Sequence, residues 1–160
     1  MKLIPLTQGK FAQVDDEDFD DLNQYKWYAV KGKGFNPPYY ARRRQFNGKG
    51  IEMHQQLLGL QIGELGDHKD GDGLNNQRFN IRKCTFMQNK MNQRAKSNRL
   101  SKYKGVGYRS SRKIWTANIT HEGVHYYLGS SKSEEVAALL YNQKAIELFK
   151  EFARLNEVIK

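Results

Sequence analysis

Apolar and polar positions alternate with different periods along the chain, and the period changes mark out its elements. Beyond Tyr103 the pattern is clearest. Residues 104–109, 113–120 and 124–128 read as three short strands, with Ser110-Ser111 and Glu122-Gly123 as turns. In the middle strand Trp115, Ala117 and Ile119 alternate with Thr116, Asn118 and Thr120, so the first set faces a core and the second an open side. A long helix is predicted next, with Ser133 at its N-cap and Glu134 and Glu135 in its first turn. Ala137, Tyr141, Ala145, Leu148, Phe149 and Phe152 recur at helical spacing and predict the face that packs on the sheet.

The first half of the chain is less regular. Residues 3–6 and 10–14 read as strands around Gln8-Gly9, and 27–30 and 39–43 as aromatic-rich strands. Between them six acids stand in the seven residues 15–21, predicting a short, solvated helical turn with an Asp cap. Residues 51–60 read as a helix with Met53, Leu57, Leu58 and Leu60 on its apolar side and His54 as a packed residue within it. From Asp67 to Asn89 the pattern predicts a strand end, a polar Gly/Asn loop, a strand over 81–85 and a helix over 86–94. Residues 94–102 are basic and poor in apolar side chains, which marks a linker. The expected fold class is therefore α+β. A β-rich segment (1–50) precedes a strand-strand-helix unit (51–93), and after the linker a three-stranded antiparallel sheet packs on a long helix (103–156).

Charge adds a partner. The net charge is +10, and no acidic residue stands between Asp72 and Glu122, an interval holding twelve lysines and arginines. A solvated surface mixes its signs, so this bias predicts a nucleic acid. Arg42-Arg43-Arg44 adds a candidate phosphate contact. The basic stretch has no amphipathic helix with a large apolar face, so a membrane surface is not expected. The chain lacks a signal-peptide pattern and a long apolar run, which predicts a cytoplasmic protein, and no obligate protein partner is evident. The single cysteine, Cys84, excludes an internal disulfide and a zinc site of paired cysteines.

The polar loop supplies candidate chemistry. Hydrolysis of a phosphodiester needs a base for water and a cation for the charge that develops. His68 titrates near neutrality, and Asp67 and Asn89 offer the hard oxygens that Mg²⁺ takes alongside several waters. Asn80 can bridge backbone groups and fix the loop. A calcium loop starting at Asp70 is excluded, because Asn75 and Ile81 stand where Gly and Glu are required. Composition alone does not separate these residues from those of other polar loops.

Their order does. Met53-His54, Asp67-His68, Gly71, Asn76, Arg78, Asn80-Ile81-Arg82 and Asn89-x-x-Asn92 resemble the core of phage and intron-encoded HNH homing endonucleases. The resemblance implies a ββα-metal fold, with His68 as general base, Asn80 as loop organiser, and Asp67 with Asn89 as ligands of Mg²⁺ or Mn²⁺. It implies no structural zinc, and Arg78 or Arg82 would neutralise a neighbouring phosphate.

A second resemblance covers the C-terminal part. Tyr103-Lys104-Gly105-Val106, Trp115-x-Ala117-x-Ile119, Tyr127-Leu128-Gly129, Glu134-Glu135-x-Ala137-Ala138, Tyr141 and Phe152-Ala153-x-Leu155-Asn156 are similar to the Apetala2/ethylene-response-factor DNA-binding domain. It implies a sheet docked in the major groove of double-stranded DNA. By position Lys104, Asn118, Thr120, His125 and Tyr127 fall on the DNA side, beside Arg109 and Arg112. Gly107 and Thr120 replace base-reading arginines, so the plant target sequence is not implied. Together these features predict a metal-dependent DNA endonuclease; the alternative is a catalytically inactive, sequence-specific DNA-binding protein.

Overall fold

The structure is a computed structural model describing residues 1–32, 37–95 and 100–158. It has mixed α/β architecture with several small sheets, divided into two compact units, Met1–Asn89 and Lys90–Lys160. The two segments 1–50 and 51–89, distinguished by their patterns, fold together in the first unit.

In that unit β1 (Lys2–Pro5) pairs antiparallel with β2 (Phe11–Val14), Ile4 opposite Ala12, around a 3₁₀ turn at Thr7–Gly9. Helix α1 (Asp16–Asn23) follows. A second sheet has the order β3 (Tyr28–Lys31), β4 (Tyr39–Arg44), β5 (Gly50–Glu52), and α2 (Met53–Leu57) leaves directly from its edge. Ile4, Ala12, Val14, Leu22, Trp27, Ala41 and Met53 form one core between these elements. The Trp27 indole N–H donates to the Leu22 carbonyl at 2.8 Å, so the buried ring leaves no polar atom unpaired. Then come β6 (Leu65–His68) and β7 (Ile81–Cys84), paired with Asp67 opposite Arg82 and His68 opposite Ile81, and α3 (Phe86–Asn92), whose residues from Lys90 on belong to the second unit.

Two expectations are corrected here. Residues 51–60 are not one helix: 50–52 pair with β4 as a third strand, and the helix covers Met53–Leu57. The Asn47-Gly48 turn, with Gly48 at φ 76°, folds Gly50–Glu52 back onto Arg42–Arg44 and removes those residues from the helix. The acidic run is not simply solvated either. Asp18 is buried, and the Asp15 side chain makes no cap bond to α1 although it occupies the N-cap position.

In the second unit β8 (Val106–Arg109), β9 (Ile114–His121) and β10 (Val124–Ser131) form an antiparallel sheet with β9 in the middle. Helix α4 (Glu134–Phe149) is capped by Ser133, whose Oγ accepts the Val136 N–H at 3.2 Å. Ala137, Ala138, Tyr141, Ala145 and Phe149 are buried against Val106, Ala117 and Ile119. The Asn156 amide receives the Lys104 N–H at 2.7 Å and donates to the Lys104 carbonyl at 3.0 Å, tying the tail to the sheet. Thr116, expected on the open side, is 4% exposed because its hydroxyl donates to the Gly107 carbonyl across the strands. Part of the expected linker, 96–99, lies outside the described residues. Among the described residues no helix is long and apolar enough to cross a membrane.

Candidate functional site

The loop between β6 and β7 is built from its own polar side chains. The Asp70 N–H donates to Asn80 Oδ1 at 3.1 Å, and Asn80 Nδ2 donates to the Asn75 carbonyl at 2.8 Å and to Asp70 Oδ1 at 3.0 Å. Asn80 is 2% exposed, so these bonds replace water that the amide would otherwise keep. Asp70 and Asp72 each accept a backbone N–H two residues on, which is Asx-turn chemistry rather than cation binding. Gly73 passes so close to Tyr39 and Tyr40 that a Cβ there would stand 2.5 Å from the Tyr39 carbonyl oxygen. A side chain at this position would push the loop off β4.

His68, at the end of β6, is 5% exposed. Its ring packs edge to face on His54, centroids 4.7 Å apart, and lies 5.9 Å from the Tyr40 ring. His68 Nε2 faces the Asn76 amide oxygen at 3.4 Å, and Asn76 is fully buried with its Nδ2 turned to the Gly73 carbonyl at 3.5 Å. With Nε2–H donated to that oxygen, Nδ1 is the ring nitrogen able to accept a proton. Burial holds the His68 pKa below its ordinary value, opposed by the Asn76 contact and by Asp70, Asp67 and Asp72. The imidazole is therefore neutral at physiological pH, the form a general base needs. Burial lowers His54 further, to about 3, and the nearby His68 acts in the same direction.

Asp67 is 7% exposed, and its Oδ2 accepts from Arg82 Nε at 3.0 Å and Nη2 at 2.8 Å. Arg78 binds Asp18 through Nε at 2.9 Å and Nη2 at 2.6 Å, while its backbone N–H donates to Asp15 at 2.7 Å. Both arginines expected to meet phosphate are thus committed to carboxylates. The acidic run holds the loop in place by this route. Asn89 lies one turn into α3 and is half-buried.

In the second unit the expected DNA-side residues divide. Lys104 donates its ammonium to the Lys90 and Met91 carbonyls at the end of α3, and burial lowers its pKa to about 8. Arg109, Arg112, Thr120, His125 and Tyr127 are exposed and Asn118 is half-buried. Thr120 Oγ1 and His125 Nδ1, on directly opposed strand positions, stand 3.2 Å apart.

Sequence reasoning missed Tyr40 and the role of Asn76, because neither has a spacing that signals contact with His68. A signal for Arg78 was available. It stands in an acid-free interval, whereas six acids crowd 15–21, and opposite charges of that density attract a partner within the same unit.

The first unit thus buries an Asp-His pair at a strand end beside a loop stitched by side-chain amides. The chain is 33% identical over 162 residues to a protein of Acanthamoeba polyphaga mimivirus named as an uncharacterized HNH endonuclease, covering 98% of this chain and 80% of that relative. It is also 32% identical over 123 residues to "Protein 3.8" of Escherichia phage T7, covering 76% of this chain and 97% of the phage protein. The chain belongs to the HNH endonuclease family. No family model matches it, and no solved structure does.

Proposed function

We propose that the protein is a metal-dependent endonuclease that hydrolyses phosphodiester bonds of double-stranded DNA, with His68 as general base. The observation that carries this reading is the buried His68 beside Asp67 in a chain of the HNH family. Asn76 orients the ring from Nε2, so Nδ1 takes the proton from an attacking water. Tyr40 and His54 wall the ring on its apolar sides and exclude solvent from them. Asn80 fixes the loop that follows, and with it the His68 backbone.

A divalent cation fits the donors present. Asp67 and Asn89 offer hard oxygens, and Mg²⁺ or Mn²⁺ takes such ligands with several waters. Arg82 engages Asp67 Oδ2, and a carboxylate offers about four lone-pair sites in all. Among the described residues no three His, Cys, Asp or Glu side chains converge, so this cation would have few protein ligands. When bound, it supplies positive charge for the phosphate and the leaving 3′-oxygen. The succession β6, β7, α3 supports a ββα-metal reading of this region.

The sheet of β8, β9 and β10 on α4 supports an Apetala2-like reading of the second unit, with Asn118, Thr120, His125, Tyr127, Arg109 and Arg112 toward the DNA. Lys104 is better explained as a cap on α3 than as a DNA contact. Incubation of supercoiled plasmid with the protein tests the whole reading. Nicking or linearisation with Mg²⁺ that is lost in EDTA is the expected result. Salt-sensitive binding without any cleavage, on the plasmid and on a library of duplex targets, would instead indicate a DNA-binding protein.

A further inference from the structure

Between Asp21 and Glu52 the sequence holds seven lysines and arginines and no acid. Three of the seven are consecutive on β4: Arg42, Arg43 and Arg44. Side chains alternate across a strand, so Tyr39, Ala41 and Arg43 share one face and Tyr40, Arg42 and Arg44 the other. The first face is internal. Ala41 lies in the core, and the Arg43 guanidinium stacks 4.0 Å over the Tyr25 ring while its Nε donates to Gln56 at 2.8 Å. The second face begins at the candidate site, where the Tyr40 ring stands 5.9 Å from His68 and 6.2 Å from His54.

Arg42 and Arg44 differ from the other arginines of this unit. Arg78 and Arg82 are paired with Asp18 and Asp67, and Arg43 is taken up by Gln56 and the aromatic rings. Among the described residues the Arg42 and Arg44 side chains make neither an ion pair nor a hydrogen bond, and Arg42 Nε is a buried donor without an acceptor. Glu52 stands directly opposite Arg42 and its carboxylate feels the Arg42 charge, but it forms the capping box of α2 and makes no ion pair with the guanidinium. Gly50, opposite Arg44, has no Cβ; one there would stand 2.4 Å from Arg42 Nε. The missing side chain lets the Arg42 guanidinium lie along the sheet toward Arg44. The result is two guanidinium side chains, on residues two apart along one face of the strand, that make no ion pair among the described residues and lead away from Tyr40 and His68.

We propose that the Tyr40, Arg42, Arg44 face of β4 is a docking track for the DNA sugar-phosphate backbone, with Arg42 and Arg44 each contacting a phosphate and Tyr40 ending the track at His68. This rests on the nuclease reading above and assigns the phosphate contacts to β4 instead of to Arg78 and Arg82. Phosphate contacts are independent of sequence, so the target site need not be known to test it.

The test is binding of the full chain to a fluorescent duplex of mixed sequence, in EDTA, over a salt series. Each phosphate contact contributes about 0.9 to the slope of log K against log salt. The Arg42→Gln/Arg44→Gln double variant is expected to flatten the wild-type slope by nearly 2, and Arg44→Gln alone by nearly 1. Arg42→Lys, which keeps the charge, is expected to retain the slope, and Arg43→Gln to leave it unchanged. Arg44 is exposed, so its variant separates lost contact from lost folding. An unchanged slope in the double variant, with wild type still binding and cleaving duplex DNA, overturns the track and leaves the nuclease reading in place. Absence of both duplex binding and cleavage by wild type would remove the nuclease reading, and the track with it.

Discussion

The two units are held together by different means. In Lys90–Lys160 the core is a sheet face against a helix face, written in periods of two and about three and a half to four residues. In Met1–Asn89 much of the specification is polar and remote in sequence: Arg78 meets Asp18 sixty residues away, and buried Asp67, His68, Asn76 and Asn80 hold their partners through hydrogen bonds. An apolar core tolerates substitution that keeps volume, whereas a buried polar network leaves an unsatisfied group whenever one member is removed. The unit carrying the candidate chemistry is therefore the one more easily broken by a small polar change.

The chain's two tryptophans, Trp27 and Trp115, fall one in each unit, so Trp115→Phe and Trp27→Phe backgrounds report each unit's unfolding separately. The largest expected stability effect is Arg82→Ala. It removes the guanidinium paired with the buried Asp67 carboxylate and should cost the first unit about 3–5 kcal/mol, read from the urea transition of Trp27. Asn80→Ala comes next, at roughly 2–3 kcal/mol, since it unpairs the Asp70 N–H and the Asn75 carbonyl. Equal loss in the Trp115 transition would contradict the separation of the two units.

The third expectation concerns acid. His54 stays neutral in the fold down to a pKa of about 3, while in the unfolded chain it titrates near 6.5. Between these values the unfolded state binds the extra proton, so stability falls as pH drops below about 6.5 and His54 has no effect above it. One such proton gives a slope of up to ~1.4 kcal/mol per pH unit, and His68, also lowered, acts in the same sense. Unfolding midpoints of Trp27 at pH 7 and pH 5 should differ, and His54→Gln should shrink the difference. The smallest effect is in the other unit. Ser133→Ala removes the α4 cap and should cost about 1 kcal/mol in the Trp115 transition alone.

The same contrast explains what could be read in advance. Strands β8 to β10 and helix α4 with its Ser133 cap follow from local pattern, with ends shifted by a few residues. The β6-loop-β7 arrangement around Asp67, His68 and Asn80 was also legible, because a polar loop between two short strands carries turn chemistry. What was hidden depends on pairing between distant residues. Met53, Leu57 and Leu58 give 51–60 a helical period, yet the Asn47-Gly48 turn recruits 50–52 into the sheet. Asp18, Tyr40 and Asn76 acquire their partners only when the loop packs on the rest of the unit, and no spacing in the sequence encodes that.

The most direct test of the central claim is cleavage and duplex binding by His68→Ala beside wild type, under single-turnover conditions with Mg²⁺. General-base catalysis contributes about 10²–10⁴-fold, so cleavage should fall by at least that lower bound while duplex affinity stays within a few-fold of wild type. Cleavage by His68→Ala at the wild-type rate would contradict the assignment of the base.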